Sequence, residues 1–370
     1  MKEKKPFDFW LFITVLILLS LGLVMVFSAS APTSQKEYKG DTYYIFSKQL
    51  KFAVAGIAAM LLAANYDYRK YGKKTVMALM GASIILLVAV LIPGIGHEVN
   101  GSWRWINLGP IPFQPSEMAK LALILYLSFN LSKRKKPLDS FFSDLMPYLF
   151  VIGLISLLLL KETHLSATII MILLSMIILF VAGAKIKHFL ILVLPVLAVI
   201  TAVISFTDYM TPRINSYLNP WSNPRGEGWQ TIQSLYAIGS GGLFGRGLGQ
   251  SMQKFLYIPE PQNDYIFSIL AEELGYIGVA AVLLLFMIFI WRGIKIAVHA
   301  PDTFSSLVAT GITTLIAVQS LFNIAVVTNS VPPTGVSLPF FSSGGTSLIF
   351  FLVEVGILLN ISRYSNYERI

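Results

Sequence analysis

Asp264 is the side chain whose position most suggests chemistry. It lies near the end of the segment SLYAIGSGGLFGRGLGQSMQKFLYIPEPQNDYIF (234–267), where polar and glycine-rich sequence gives way to a long apolar run. A carboxylate at the mouth of a membrane helix is partly desolvated, which raises its pKa and suits it to act as a general base. The same position also suits a helix N-cap, and the two roles are compatible. From its position alone, the catalytic role and the capping role of Asp264 both stay open.

The glycines of this segment allow two interpretations. Glycine permits positive φ and close approach of a ligand to the backbone, and Arg246 and Lys254 in the same segment could hold Asp264 ionised. The run GSGGLFGRGLG is not a phosphate-binding Walker loop, because no Gly-Lys-Ser/Thr follows it. Structural packing of glycine therefore stays open as the alternative to ligand binding.

A second pair of charges lies in an apolar stretch. Glu117 and Lys120 in QPSEMAKLAL have i,i+3 spacing, so they lie on one helix face and can form an ion pair. Ionisable residues within a membrane are costly and are functional candidates. A structural ion pair and a functional pair are both open. His164, at a predicted outer helix start, is interpreted as a cap or a polar contact.

The elements that must position these residues are membrane helices. The chain has 370 residues, of which 55% are hydrophobic and 13% charged, whereas soluble domains carry about 25% charged residues. We predict an all-α polytopic membrane protein with about ten spans. They cover 9–29, 48–65, 75–93, 115–132, 145–160, 165–183, 188–206, 265–291, 305–328 and 343–362.

Charge fixes the predicted orientation. Basic residues concentrate in alternate loops, such as 69–74 and 133–136, which places these loops and both termini in the cytoplasm. The net charge of +9 is therefore attributed to an anionic inner leaflet and its membrane lipids, not to nucleic acid. The absence of cysteine excludes disulfides and thiolate metal sites.

Three outer segments are long. Residues 30–47 are predicted as a polar, poorly ordered loop, and residues 94–114 as a Trp-containing loop at the membrane interface. Residues 207–264 form a large extracellular loop between helices 7 and 8, with a helix expected near 228–239. We treat 1–370 as one membrane domain, with 207–264 carrying the predicted catalytic segment.

The outer segments, taken in order, resemble one family. The matching stretches include NGSWRWINLGPIPFQPSEMAKLAL, FVAGAKIKHF, PPTGVSLPFFSSGGTSL and the long run from Arg213 to Gly278. They resemble the SEDS proteins (shape, elongation, division and sporulation), which include RodA, FtsW and SpoVE. The stretches YLNPW, LGQSMQKF and SRYS are most similar to the FtsW/SpoVE branch.

The resemblance implies a peptidoglycan glycosyltransferase of the bacterial cytoplasmic membrane. Such enzymes polymerise lipid II on the outer face of that membrane and work with a class B penicillin-binding protein, in division, sporulation or shape maintenance. The family's essential aspartate falls on Asp264 in PEPQNDYIF, and its acid–base pair falls on Glu117 and Lys120. The chain departs from the family at HLSAT (164–168), where Asp-Leu-Gly-Thr is common, and at Ser343, where the family often has tyrosine.

Polymerisation needs a base near the attacking sugar hydroxyl and cations near the lipid diphosphate, which suits a single inverting displacement. Asp264 is the predicted base. No cofactor is assigned with certainty; a divalent cation (Mg²⁺ or Mn²⁺) that Asp264 would ligate is the one candidate. The predicted substrate contacts are Lys254, Arg246, Arg213, Arg104, Gln253, Ser240 and Ser343.

Two other functions remain open at this point. A lipid II flippase or other transporter would suit ten spans and several intramembrane carboxylates. The lack of an obvious inverted repeat and the concentration of polar residues on the outer face count against it. A non-catalytic scaffold is the third possibility, and it would tolerate loss of the Asp264 carboxylate.

Overall fold

The computed structural model describes residues 5–99, 102–109, 111–192 and 211–365, which are mainly helical. Helices in this part coincide with nine of the ten predicted spans, and the predicted seventh span (188–206) lies largely outside the described residues. The helices are α1 (Phe9–Glu37), α2 (Tyr44–Asn65), α3 (Lys73–Ala89), α4 (Pro115–Ser132), α5 (Met146–Lys161), α6 (Leu165–Val181), α7 (Thr211–Leu218), α8 (Trp229–Ser240), α9 (Ile266–Val298), α10 (Thr303–Val327) and α11 (Gly345–Ser362).

Six helical segments in the described residues are long and apolar enough to cross a membrane. They are α1, α2, α9, α10, α11 and the segment Phe141–Lys161, which joins a π-helical turn to α5. Helix α6 is apolar but shorter. The predicted all-α, multi-pass class is confirmed, and the number of ten spans stays a prediction.

Small residues allow the spanning helices to pack closely. Helix α2 packs along α11, α9 packs against α10 and α1, and α4 contacts α3, α6 and α10. A Cβ atom at Gly56 of α2 would meet the Leu352 side chain, and one at Gly356 of α11 would meet the backbone of Met60. Close approach of small residues is a usual means of helix association in membranes, where helices gain no hydrophobic energy from leaving lipid for each other.

Two of the outer segments differ from the prediction. Residues 94–114 contain a three-stranded antiparallel sheet of β1 (Gly96–Val99), β2 (Ser102–Leu108) and β3 (Ile111–Phe113). Sequence reasoning missed it because strands this short, among glycines and prolines, give little periodic signal. Residues 30–47 are not a disordered loop, since α1 continues to Glu37 and α2 begins at Tyr44. The rings of Tyr38 and Tyr44 stack 3.8 Å apart across the short connection.

The glycine-rich segment after α8 packs on a break in α9. The predicted helix near 228–239 is confirmed as α8. Gly275 interrupts α9 with φ 66°, and the backbone of the segment binds there: Arg246 N donates to Glu272 O (2.9 Å), and Tyr276 N donates to Gly242 O (2.9 Å). A Cβ at Gly245 would overlap the backbone of Glu273. Gly245 is therefore required for backbone packing.

Candidate active site

Residues from distant parts of the chain line one cavity of about 520 Å³. Strand β2 supplies Arg104, α4 supplies Glu117 and Lys120, α7 supplies Arg213, and the segment before α9 supplies Asp264. The loop between α10 and α11 closes the cavity with residues 335–337 and 342–344. By the charge pattern of the loops, this cavity belongs to the outer half of the protein.

Asp264 is held beside a glycine. Its backbone oxygen accepts from Nδ2 of Asn323 (2.8 Å), which also donates to the backbone oxygen of Val336 (2.6 Å). A Cβ atom on Gly335 would lie 3.0 Å from Oδ2 of Asp264. The N-cap alternative is wrong, because α9 begins at Ile266 with Tyr265 in the capping position. The carboxylate is thus not used in capping and lines the cavity.

Burial sets the protonation of Asp264. Burial raises the pKa of this carboxyl to about 6, and the negative charge of Glu260 adds to the rise. Arg104 and Arg213 oppose it, since a nearby positive charge favours the ionised form. A carboxyl with this pKa is largely ionised at neutral pH and is more basic than an ordinary aspartate, so it is suited to accept a proton.

The loop before α11 is tied to the segment that carries Asp264. Oγ of Ser342 donates to the backbone oxygen of Asn263 (2.6 Å), and the Ser343 backbone N donates to Gln262 O (2.8 Å). Oγ of Ser166 in α6 donates to the backbone oxygen of Thr334 in the same loop. These bonds hold Ser343, a predicted substrate contact, at the cavity wall.

Two predicted cationic contacts, Arg104 and Arg213, line the same cavity as Asp264. A guanidinium nitrogen of Arg104 donates to the backbone oxygen of Thr163 (2.6 Å), and one of Arg213 donates to Pro333 O (2.8 Å). Both side chains are partly buried and line the cavity. They place two positive charges where an anionic group of a ligand would be stabilised.

The Glu117–Lys120 pair forms at the cavity wall. Nζ of Lys120 lies 2.8 Å from a carboxylate oxygen of Glu117, and the two side chains are 3% and 6% exposed. Lys120 also donates to Oε1 of Gln319 in α10 (3.0 Å), and Nε2 of Gln319 donates to the backbone oxygen of Ser337 (3.2 Å). The pair therefore connects α4, α10 and the loop before α11. Its role in the reaction stays a prediction.

Four other predicted substrate contacts do not line the cavity of Asp264 and lie around Glu272 and Glu273 instead. Lys254 is 4% exposed and its Nζ lies 2.9 Å from Glu273 and 2.9 Å from Oγ of Ser28. Arg246, Ser240 and the backbone of Gln253 surround Glu272. The reason is the break in α9, which turns both glutamates toward the glycine-rich segment. The structure does not bring Lys254, Arg246, Ser240 and Gln253 to the cavity of Asp264, so we withdraw them as contacts in that cavity.

A smaller cavity of about 210 Å³ adjoins Asp264. Arg213, Gln230, Asp264 and Gly335 line both this cavity and the larger one. Sequence reasoning did not predict it, since Gln230 on α8 carries no motif that marks it. The carboxylate of Asp264 is thus placed at the junction of two spaces.

Two further residues near the site, Glu162 and His164, were not predicted as site residues from the sequence. Glu162 is fully buried, and neither carboxylate oxygen has a hydrogen-bond partner among the described residues. Burial raises its pKa to about 8, against an opposing effect of Arg104. His164 lines the larger cavity.

The donor set limits how a metal could bind. Among the described residues, no group of three or more His, Cys, Asp or Glu side chains is arranged to hold a metal ion. A divalent cation at Asp264 would therefore need oxygen ligands from a substrate as well, which is how Mg²⁺ is often bound next to phosphates.

Comparison with known proteins identifies the family. The profile of the family described as "Cell cycle protein" (FtsW, RodA and SpoVE) matches residues 9–367. The chain belongs to this family. It is 48% identical over 370 residues to "Stage V sporulation protein E" of Bacillus subtilis (strain 168), covering 99% of each chain. It is 40% identical over 361 residues to "Probable peptidoglycan glycosyltransferase FtsW" of Geobacter sulfurreducens, covering 98% of this chain and 96% of that one.

Solved structures share the fold of this FtsW/RodA/SpoVE protein. A chain from a structure described as "Structural coordination of polymerization and crosslinking by a peptidoglycan synthase complex" superposes with a TM-score of 0.81 at 29% identity, covering 98% of this chain and 99% of that one. The "Rod shape determining protein RodA" of Thermus thermophilus gives 0.70 at 26% identity, covering 98% of each chain. The predicted SEDS-type membrane fold is confirmed, and the chain is a multi-pass protein of the cytoplasmic membrane.

Proposed function

We propose that this protein is a peptidoglycan glycosyltransferase that polymerises lipid II into glycan strands on the outer face of the cytoplasmic membrane. Relatives named as probable peptidoglycan glycosyltransferases support the activity. The observation that carries the proposal is the site of Asp264, a partly buried carboxylate at the junction of two cavities, with Arg104 and Arg213 in the lining of the larger one. The descriptions of the family and of its relatives name the cell cycle, sporulation and the determination of rod shape, so we infer a role in division, sporulation or shape maintenance.

In the proposed reaction Asp264 accepts the proton of the 4-hydroxyl of the acceptor sugar. The hydroxyl oxygen attacks the anomeric carbon of the donor as the bond from that carbon to the diphosphate oxygen breaks. Undecaprenyl diphosphate leaves with the bonding electrons, and the α-linked donor becomes β-linked. One displacement of this kind needs one base and no covalent intermediate.

The two arginines are the proposed contacts of the leaving diphosphate. Arg104 and Arg213 both line the cavity next to Asp264, and guanidinium groups bind phosphate oxygens by paired, charge-assisted hydrogen bonds. Ser343, which lines the same cavity, remains a proposed contact. In the alternative arrangement, Asp264 would ligate a Mg²⁺ or Mn²⁺ ion together with diphosphate oxygens instead of acting as the base, and the ion would neutralise charge on the leaving group.

Two adjoining cavities suit a reaction that joins two substrates. Asp264 lines both, so a base at this position can reach a hydroxyl in one cavity while the donor sugar occupies the other. Holding two reactants beside a catalytic group converts a bimolecular step into an effectively unimolecular one. A carrier of one substrate has no need for this arrangement.

A class B penicillin-binding protein is the proposed partner. The similar chain with a TM-score of 0.81 comes from a structure of a peptidoglycan synthase complex in which polymerisation and crosslinking are coordinated. Crosslinking of nascent strands needs a transpeptidase beside the polymerase, so we infer the same kind of partner here.

The test is a polymerisation assay with purified protein and lipid II, with and without a class B penicillin-binding protein. We expect glycan chains from the wild type and none from Asp264→Asn. Asp41→Asn is the matched control, because Asp41 is exposed in the connection between α1 and α2 and lines neither cavity. Polymer from Asp264→Asn would refute the proposed base. Transfer of lipid II between leaflets without polymer would favour the flippase.

A further inference from the structure

We propose that His164 is a substrate-positioning residue, whose neutral imidazole hydrogen-bonds a hydroxyl or N-acetyl group of a sugar of the bound lipid-linked substrate. The proposal rests on the proposed function and extends it to the sugar-binding part of the site. It starts from a buried side chain with a ring nitrogen that has no hydrogen-bond partner among the described residues.

His164 lies in the same cavity as Asp264. The residue is 7% exposed, and its Nδ1 has no hydrogen-bond partner among the described residues. A buried polar atom without a partner is destabilising, because it has lost its hydrogen bonds to water and gained none in return. A ligand in the cavity can supply the missing partner.

A role in capping the helix does not explain the presence of this histidine. His164 occupies the N-cap position of α6, yet its side chain makes no capping hydrogen bond. Its backbone oxygen accepts from the backbone N (3.2 Å) and Oγ1 (3.0 Å) of Thr168, and these bonds do not depend on the identity of the side chain. The helix start therefore does not require a histidine.

The surroundings keep the imidazole neutral. Burial lowers the pKa of His164 well below its usual value, and the positive charges of Arg104 and Lys120 lower it further. A neutral imidazole offers one donor and one acceptor. The diphosphate is matched by arginines in the same cavity, so the uncharged groups of the sugar are the chemical match for His164. An aspartate or glutamate at position 164 would instead form an ion pair with these positive charges.

The test uses three variants at one position. His164→Phe keeps a ring of similar shape without polar atoms, His164→Asn places a polar atom near that of Nδ1, and His164→Ala removes the ring. Each purified full-length protein is assayed for its KM for lipid II, its kcat, its thermal stability, and its inhibition by undecaprenyl diphosphate, which lacks the sugars. Substrate and inhibitor share the diphosphate and the lipid, so their comparison isolates the sugar.

We expect His164→Phe to raise KM for lipid II about 3- to 10-fold, the loss of one hydrogen bond, with kcat reduced much less. Its inhibition by undecaprenyl diphosphate stays at the wild-type level, and His164→Asn recovers most of the KM. Unchanged KM in His164→Phe would overturn the proposal. Equal weakening of substrate and inhibitor would also overturn it, because the contact would then be to diphosphate or lipid.

Folding failures remain distinguishable from a lost contact. If His164→Phe is too unstable to assay, the proposal is judged on His164→Asn and His164→Ala: a wild-type KM in both overturns it, and a raised KM in His164→Ala alone supports it. A wild-type protein that binds lipid II without polymerising it would refute the proposed function. The equilibrium affinity of each variant for lipid II would still test the histidine in that case.

Discussion

Two opposing effects act on the carboxylate of Asp264. Burial disfavours its charge, while Arg104 and Arg213 favour it. The effect of burial is the larger, because the pKa rises from the ordinary value of an aspartate to about 6. The result is a group that is ionised at neutral pH and still a better proton acceptor than an exposed aspartate. Its neighbours therefore determine both its charge and its reactivity.

The pH dependence of polymerisation follows from this pKa. We expect kcat/KM to fall about tenfold per pH unit below about pH 6, because the proposed base is then protonated. An unperturbed aspartate would keep its activity down to about pH 4. The measurement is the initial rate of glycan synthesis from lipid II between pH 4.5 and 8, in buffers of matched ionic strength.

Arg104→Gln provides the matched control for the pH profile. Arg104 lowers the pKa of Asp264, so its removal should move the acid limb to higher pH while also lowering the maximal rate. A limb that stays at the same pH in Arg104→Gln would show that another group controls it.

Gly335 sets the space beside the carboxylate. Its φ of 71° costs a non-glycine residue about 1–2 kcal/mol, and an added Cβ would lie 3.0 Å from Oδ2 of Asp264. We expect Gly335→Ala to lower the polymerisation rate by more than tenfold, because the carboxylate must shift. The polymerisation assay with purified protein measures this.

Gly249→Ala is the control for backbone strain. Gly249 has a similar φ of 79°, and an added Cβ would meet no heavy atom within 4 Å among the described residues. It should lose comparable stability in thermal unfolding and keep most of the activity. Equal activity losses in the two variants would attribute the effect of Gly335→Ala to strain alone.

At the level of elements, the break in α9 organises the outer loop. The glycine-rich segment binds backbone groups freed around Gly275, while the side chains of Glu272 and Glu273 bind residues 251–254. Lys254 and Ser28 bring α1 into the same cluster through Glu273. Non-helical backbone in a membrane protein is tolerated where other protein groups satisfy it, as here.

We expect the ion pair of Lys254 and Glu273 to stabilise the folded protein. Lys254→Met leaves a buried glutamate without its cation and should cost about 3–5 kcal/mol, seen as a lower midpoint of thermal unfolding in detergent. The double variant Lys254→Met/Glu273→Gln removes both charges and should recover much of the loss. Polymerisation by the double variant at near the wild-type rate would support a structural role. Wild-type stability with lost activity would restore Lys254 as a substrate contact.

At the level of the whole molecule, the orientation of the protein in the membrane determines whether the cavity lies on the side where the substrate is polymerised. The basic loops predict that the termini lie in the cytoplasm and that the sheet, the glycine-rich segment and Asp264 lie outside. The polymerase proposal requires this arrangement, because the substrate is polymerised on the outer face.

The absence of cysteine makes orientation directly measurable. We expect a cysteine introduced at Ser222 to react with a membrane-impermeant maleimide in intact cells whose outer envelope has been opened. A cysteine at Lys136 should react only after the cytoplasmic membrane is permeabilised. Both positions are exposed in the structure, so the same reactivity for both from outside would refute the predicted topology.

A structural feature could be predicted from the sequence when neighbouring residues determine it, and not when contacts between distant residues do. Apolar length and charge bias are local properties, so the spans, the all-α class and the i,i+3 pair of Glu117 and Lys120 could be predicted from the sequence. The strands at 96–113 and the extension of α1 to Glu37 depend on contacts that local patterns do not report. The family resemblance pointed to Asp264 through its motif.

The amino-acid sequence by itself determined the membrane class, the family and the presence of a carboxylate next to the start of α9. Tertiary structure decided which charges lie beside that carboxylate. Arg104, about 160 positions away along the chain, reaches the cavity from a strand, whereas Lys254, ten positions away, turns to Glu273. The physical reason is that a buried charge lies where a partner can satisfy it, and packing of distant helices, not sequence separation, supplies that partner.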